Sequence, residues 1–106
     1  MNICFIKGKI ITKIQYEFML EKNKNAIIIF YIELENRSRI RIIGYNNIAD
    51  WCFQHLKEKD IVYIEGRLDT KEELQIIIKN IKIQNKGQAT TFSKKITWKI
   101  PPYDIQ

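Results

Sequence analysis

Apolar and polar residues alternate along most of this chain, and the alternation predicts five β-strands. The first predicted strand spans residues 3–14 and contains Gly8, a residue type that inside a strand often marks a bulge or a sharp bend. Four further segments, rich in β-branched and aromatic residues, follow it. They are predicted to form strands at residues 26–35, 39–43, 61–68 and 74–84.

A longer period separates the third predicted strand from the fourth. Between Ile48 and Leu56 the apolar residues recur at the spacing of one helical face, and Asn46 or Asn47 is suited to cap the first turn. Five strands with a helix between the third and the fourth is the order of the OB-fold, a five-stranded Greek-key barrel. The sequence therefore predicts an all-β OB-fold with one short helix.

The chain continues past the fifth predicted strand. Residues 1–84 are interpreted as the OB-fold domain, and residues 85–106 as a C-terminal linker, extra strand and tail. Residues 85–90 are expected to be the linker because they are polar and contain Gly87, and alternating apolar residues at 92–100 predict the extra strand. A small core and an unpaired apolar strand both favour homo-oligomerisation.

The second and third strands are expected to pair as an antiparallel hairpin. Phe30 and Ile32 share one face of the second strand, and Ile40 and Ile42 share one face of the third. If both faces lie toward the core, a three-residue loop at 36–38 sets the pairing. The opposite pairs would be Glu35 with Arg39, Glu33 with Arg41, and Tyr31 with Ile43.

The net charge is +6, from 18 basic and 12 acidic residues, which favours an anionic partner. Nucleic acid comes first and a membrane surface second, although part of the lysine excess accompanies a general bias toward Ile, Lys and Asn. No apolar run approaches the roughly 18 residues that a membrane span needs, so no membrane partner is expected. Two cysteines without a signal-peptide pattern favour a reducing intracellular compartment.

The residue types that carry catalysis are scarce or badly spaced in this sequence. His55 is the single histidine, and Cys4 and Cys52 without partnering histidines make no zinc site. No Ser-His-Asp set, paired-carboxylate motif or phosphate-binding glycine loop appears. We therefore expect no enzyme activity, no cofactor, no metal and no small-molecule substrate.

Several segments, taken in order, resemble the single-stranded DNA-binding protein family. The resemblance covers roughly the first four fifths of the chain. It implies an OB-fold that binds single-stranded DNA with low sequence specificity, without catalysis, in support of DNA replication, repair or recombination. The matching segments are residues 2–10, 30–36, 40–44, 48–50, 56–57, 62–68 and 74–84.

The compact form, with its Ile, Lys and Asn bias, is similar to single-strand-binding-like reading frames of some algal plastid genomes. That similarity implies a plastid protein, with a bacterial-type cytoplasm or nucleoid as the alternative. The chain also departs from the family: its hairpins are short, and its acidic C-terminal tip is missing. The family's stacking aromatics find no counterpart at Arg37, at Ile43 or near Glu73.

Seven residues form the candidate nucleic-acid-binding set. Three arginines with a period of two could follow phosphates along one strand face, although pairing with Glu33 and Glu35 would be a purely structural role. Two tyrosines could stack on bases, or could be partly buried surface residues. Two lysines could add charge to a groove, or could be solvated surface lysines. The set is Arg37, Arg39, Arg41, Tyr31, Tyr45, Lys7 and Lys79.

Two further functions stay open at this point. An OB-fold protein-interaction or structural domain that has lost tight DNA binding fits the short hairpins and the acids on the presumed binding face. An RNA-binding or primosome-like OB subunit differs from the leading hypothesis mainly in its ligand, so RNA stands beside single-stranded DNA as a candidate partner.

Overall fold

The computed structural model describes residues 2–18, 26–71, 73–85 and 88–92. Within these residues the backbone forms strands and a helix largely where the apolar periods indicate them. In chain order the elements are β1 (Cys4–Ile10), β2 (Gln15–Phe18), β3 (Ala26–Glu33), β4 (Arg39–Tyr45), α1 (Asn47–His55), β5 (Ile61–Asp69), β6 (Gln75–Asn85) and β7 (Gln88–Phe92).

Hydrogen bonding closes the strands into a barrel. β3 pairs with β4, β4 runs parallel to β6, β6 pairs with β5, and β5 pairs with β1. β1 returns to β3 through the pairs Lys9–Glu33 and Ile10–Ile32, which completes the ring. β2, which follows the first predicted strand of residues 3–14, extends the pairing with β3. The expected five-stranded OB-fold is confirmed.

The first predicted strand breaks at residues 11–14, beyond Gly8. The break is held by Thr12, whose Oγ1 accepts a hydrogen bond from the Tyr31 N–H at 3.0 Å. Gly8 has a different role, because a Cβ at this position would lie 2.8 Å from Cδ1 of Ile32. Glycine thus lets β1 cross β3 at close range where the ring closes.

The core is filled mainly by isoleucine. Every second residue of β3 is buried, because that face points into the barrel. Burial of each large apolar side chain contributes about 1.5–3 kcal/mol. The helix covers one side of this core through Ile48, Ala49 and Cys52. The largest fully buried side chains are Phe30, Ile10, Ile28, Ile32, Ile42, Ile64, Ile76, Ile81, Ile83, Val62 and Cys52.

The predicted pairing of β3 with β4 is wrong by two residues. The loop has five residues, 34–38, and is closed by a hydrogen bond from the Leu34 N–H to the Ser38 carbonyl at 2.8 Å. Arg37 adopts a φ of 72° within this loop, a conformation that alternation does not reveal. A shift of two keeps the same side chains inward, so the apolar pattern cannot detect it. The observed pairs are Glu33 with Arg39, Tyr31 with Arg41, and Ile29 with Ile43.

The side chains at the two ends of the helix differ in the contacts that they make. Asn46 occupies the N-cap position at a φ of 59°, but its side chain makes no capping hydrogen bond. His55 stacks on half-buried Trp51 with ring centroids 4.3 Å apart, and its Nδ1 lies 2.8 Å from the Trp51 carbonyl oxygen. None of the helical residues described here forms a helix long and apolar enough to cross a membrane.

The extra strand lies outside the ring and starts earlier than the sequence predicts. Residues 88–92 form β7, which pairs with β6. The linker expected over residues 85–90 is therefore wrong, while residues 93–100 of the predicted strand lie outside the described residues. Phe92, at the end of β7, packs beside Trp51 with ring centroids 5.9 Å apart.

Candidate nucleic-acid interface

The structure divides the seven candidate residues among three places on the outside of the barrel. The first lies on the paired strands of the β3–β4 hairpin. The second is a groove where the end of β4 meets β5 and β6. The third is a depression between β1 and the hairpin loop. The three groups are Tyr31 with Arg39 and Arg41, Tyr45 with Lys79, and Lys7 with Arg37.

We call the first surface the hairpin face, made of Tyr31, Glu33, Arg39, Arg41 and Glu73. Strand alternation turns its β3 and β4 side chains away from the core. Glu33 lies opposite Arg39, and Tyr31 lies opposite Arg41. Glu73 enters from the connection between β5 and β6. The two arginines of this face therefore share it with two carboxylates.

Glu73 contacts both members of the second pair. The Tyr31 hydroxyl donates a hydrogen bond to Glu73 Oε2 at 3.0 Å, and this bond is the main reason that the pKa of Tyr31 is raised. Arg41 Nη1 lies 3.9 Å from Glu73 Oε1. Solvent-accessible ion pairs of this kind contribute about 0–1 kcal/mol to stability. The main effect of this ion pair is to lower the positive potential of the hairpin face, because its contribution to the stability of the barrel is small.

We call the second surface the basic groove, defined by Tyr45, Arg67, Lys71, Ile77 and Lys79. It consists of two adjoining depressions of about 580 and 530 Å³, which share Tyr45, Arg67 and Ile77 among their lining residues. Lys79 lines the larger depression and Lys71 the smaller one. Tyr45, the last residue of β4, is 39% exposed. The groove thus combines an accessible aromatic ring with three cations.

A bulge in β6 places Lys79 on this surface. Glu65 of β5 lies opposite Asn80. The next pair is Gly66 with Ile78, which leaves Lys79 as the extra residue of the bulge. Lys79 is exposed, whereas Ile78 and Asn80 on either side of it are buried. The irregularity therefore exposes one cation between two buried side chains.

Gly66 permits the close approach of the two strands at this bulge. A Cβ on Gly66 would overlap the carbonyl oxygen of Ile77. The next residue, Arg67, lies opposite Ile77 and is exposed. The glycine therefore sets the distance between the strands, and Arg67 extends outward from the narrowed ladder.

The acids of the basic groove already have partners within the barrel. Glu65 Oε1 accepts a hydrogen bond from Asn80 Nδ2, and Asp69 Oδ2 accepts one from Gln75 Nε2 at 2.7 Å. Among the residues that the structure describes, no carboxylate lies within 4.0 Å of any of the three groove cations. Their charge is therefore available to an anionic ligand.

The third group lies apart from both surfaces. Lys7 and Arg37 line a depression of about 890 Å³ together with Glu33 and Glu35, so its charges are mixed. The Lys7 ammonium lies 5.3 Å from the centroid of the Tyr63 ring, within range of a cation–π contact. These contacts hold Lys7 on the β1–β5 surface.

The remaining reactive side chains have structural surroundings. Tyr16 stacks on Phe53 with ring centroids 4.4 Å apart. Its hydroxyl donates a hydrogen bond to Asp50, and this bond raises the pKa of Tyr16. Burial raises the pKa of both Cys4 and Cys52. In the described part of the chain, no cluster of three His, Cys, Asp or Glu residues is placed to hold a metal ion.

Arg67, Lys71 and Ile77 are absent from the candidate set that the sequence suggests. The sequence pattern gives no signal for this region, because Ile77 lies in phase with Ile81 and Ile83. Only the structure shows that the buried isoleucines of β6 change phase between Ile78 and Ile81. Such a change of phase within a strand marks a bulge, and bulges are enriched next to functional sites. Arg67 follows Gly66 in a segment that the sequence pattern explains only as a strand end.

Solved structures with the same fold include single-strand-binding domains. The SSB domain of a Synechococcus sp. protein has a TM-score of 0.69 at 17% identity, covering 76% of this chain and 93% of that one. The single-stranded DNA binding protein from Thermus aquaticus has a TM-score of 0.73 at 14% identity, covering 85% of this chain and 43% of that one. The PriB protein from Ralstonia solanacearum has a TM-score of 0.65 at 10% identity, covering 80% and 99% of the two chains.

No family model matches the chain, and no curated protein matches it. At identities of 10–17% the structural likeness establishes the fold. The chain has the OB-fold, with a barrel similar to that of single-strand-binding domains. The resemblance that the sequence predicts is thereby confirmed at the level of the fold.

Proposed function

We propose that this protein binds single-stranded nucleic acid, with DNA as its main ligand, and catalyses no reaction. One observation carries the proposal: the basic groove places the accessible ring of Tyr45 beside three cations that have no acidic partner among the described residues. Aromatic platforms next to positive charge are how OB-folds hold single strands. The likeness to single-strand-binding domains supports the same ligand class.

The groove suits a ligand that is recognised by its bases and phosphates in general, not by its sequence. A base stacked on Tyr45 would gain about 1–3 kcal/mol whatever its identity, because every base has a π-face. Arg67, Lys71 and Lys79 would neutralise neighbouring phosphates and release counterions. Both contributions are insensitive to sequence, so we expect low sequence specificity. The expected cellular role is support of DNA replication, repair or recombination.

Binding of an oligo-dT measured by fluorescence anisotropy tests this proposal. At about 50 mM salt and micromolar protein we expect a saturable complex that weakens as salt rises. Replacing Arg67, Lys71 and Lys79 together by Gln should lower the affinity at least tenfold and flatten the salt dependence by about 0.7 per lost phosphate contact. Equal charge is removed by the control, Lys13, Lys57 and Lys59 changed to Gln, which lies outside the groove. No binding by the native chain, or equal losses in both triple variants, would refute the proposal.

A protein-interaction domain is the second candidate, and the hairpin face favours it. Its arginines share the surface with Glu33 and Glu73, which reduces the attraction for phosphate. A pull-down that recovers one stoichiometric protein partner, with no affinity for oligo-dT or oligo-U, would support this alternative. Competition between oligo-dT and oligo-U separates the DNA-binding proposal from an RNA-binding, primosome-like subunit.

We also infer a homo-oligomer located in a reducing compartment, either a plastid or a bacterial-type cytoplasm. Phe5 on β1 is 55% exposed and lies outside the basic groove, which suits burial against another copy. Cys4 and Cys52 are both free thiols, in keeping with such a compartment. Sedimentation at tens of micromolar tests the assembly, and a species of monomer mass alone would contradict it.

A further inference from the structure

Glu73 contacts two donors on the hairpin face. One carboxylate oxygen accepts the hydrogen bond from the Tyr31 hydroxyl at 3.0 Å, and the other lies 3.9 Å from Arg41 Nη1. The side chain of Glu73 is itself 48% exposed, so water reaches it. A half-exposed carboxylate is thus held by two partners, and each of its oxygens has one of them.

The backbone builds this arrangement. Tyr31 and Arg41 are direct cross-strand neighbours. β6 runs parallel to β4 and begins with Gln75 opposite Arg41, so the connection that precedes β6 passes the same end of the sheet. Gln75 is fixed in turn by its hydrogen bond to Asp69 at 2.7 Å. Glu73 stands two residues before that anchor, which keeps it over the pair.

A carboxylate and a backbone phosphate present the same pattern to these donors. Each carries one negative charge and at least two oxygens that accept hydrogen bonds, and a guanidinium binds either of them. We propose that Glu73 occupies the position of a phosphate on the hairpin face, and that a nucleic acid strand displaces it to reach Arg41 and Tyr31. The inference rests on the proposed function and defines Glu73 as an internal competitor of the ligand.

Glu73 competes only with the part of a ligand that reaches the hairpin face. Arg41 and Tyr45 lie on the same strand, four residues apart, or about 13 Å at about 3.3 Å per residue. A dinucleotide, with a single internucleotide phosphate, can occupy the basic groove without reaching the hairpin face. A longer one extends along β4 and must displace Glu73. The effect of Glu73 therefore depends on ligand length, which a general change in charge would not reproduce.

The test compares Glu73→Gln with the native protein on two oligo-dT ligands, a dinucleotide and a strand of about 16 nucleotides, the upper end of OB-fold site sizes. We expect the long ligand to bind about two- to five-fold more tightly, as removal of an exposed ion pair implies, and the short ligand to bind unchanged. Glu58→Gln, which removes the same charge in the exposed turn after α1, is the matched control and should leave both affinities unchanged.

A second background separates competition from a structural role. In a chain that already carries Arg41→Gln, we expect Glu73→Gln to give no further increase in affinity for the long ligand, because the group that Glu73 blocks is gone. The inference is overturned if Glu73→Gln leaves the long ligand unchanged, weakens it, or tightens both ligands equally. A native protein and a Glu73→Gln variant that both fail to bind either ligand would refute the proposed function itself.

Discussion

The basic groove and the hairpin face lie on the same barrel and share β4, yet they differ in where their acids go. In the groove, Glu65 and Asp69 accept hydrogen bonds from amide side chains, and no cation has a carboxylate partner among the described residues. On the hairpin face, Glu73 contacts Arg41 directly. A row of arginines in one strand therefore does not define a phosphate site, because an acid that is distant in the sequence can neutralise it.

Removal of the Tyr45 ring should cause the largest difference in ligand affinity between the two surfaces. Tyr45→Ala should weaken oligo-dT binding by about 1–3 kcal/mol, roughly 5- to 150-fold, because a stacking platform is lost from the basic groove. Tyr31→Ala on the hairpin face should change the affinity by less than about threefold, since its hydroxyl is held by Glu73. Anisotropy titrations measure both. Equal losses in the two variants would mean that the surfaces do not differ as ligand sites.

The close approach of β5 and β6 at the bulge can be disrupted by adding one methyl group at Gly66. Gly66→Ala should lower the free energy of unfolding by about 1–3 kcal/mol, because its Cβ overlaps the Ile77 carbonyl and forces β5 from β6. Urea unfolding measures the loss. The folded variant should also bind oligo-dT less tightly, since Arg67 moves with its strand. Leu68→Ala, an exposed position two residues along β5, is the control and should cost less than about 1 kcal/mol. An unchanged midpoint for Gly66→Ala would contradict the close approach.

The arginine pair should have a smaller effect than the groove. Arg39→Gln with Arg41→Gln is expected to lower the affinity for a long oligo-dT by about twofold, because a phosphate can bind Arg41 only by replacing Glu73, which leaves a small net contribution. Arg67→Gln with Lys79→Gln removes the same charge and should lower the affinity about tenfold. Parallel titrations at several salt concentrations compare the pairs. A larger loss in the arginine pair would reverse the ranking of the two surfaces.

The titration of Tyr31 provides the smallest and most local test. Its pKa is raised by the hydrogen bond to Glu73, so Glu73→Gln should lower the pKa toward the ordinary tyrosine value. Because the folded-state pKa exceeds the unfolded one, the contact stabilises the protein at neutral pH, and this contribution is lost as pH rises through the folded-state pKa. NMR titration of the tyrosine rings measures the shift. Tyr16, whose raised pKa depends on Asp50, should not move and serves as internal control.

Most of the barrel could be predicted from the sequence, because alternation and helical spacing report which side chains are buried. The pairing of β3 with β4 could not, since a shift of two residues preserves every inward position. The five-residue loop depends on the positive φ of Arg37, a residue type that seldom adopts it. The start of β7 was also missed, because the polar stretch before Phe92 lacks the apolar alternation of a strand.

The candidate site could be predicted only in part, because its residues are far apart in the sequence. Tyr45 and Lys79 are in the predicted set and line the groove, but Arg67 and Lys71 complete it from another strand and its loop. The neutralisation of Arg41 depends on Glu73, 32 positions away, which only the parallel pairing of β4 with β6 brings close. Local periodicity contains no information about such contacts.

The bulge at Lys79 gives β6 one residue more than its ladder with β5 requires. Up to Ile78 the even-numbered side chains face the core, and from Ile81 onward the odd-numbered ones do. Because Ile78 pairs with Gly66 and Asn80 with Glu65, deleting position 79 would leave both pairs in place and make the alternation regular, with Ile81 still in the core. A one-residue deletion at this position is therefore expected to remove a cation from the basic groove while the barrel keeps its core.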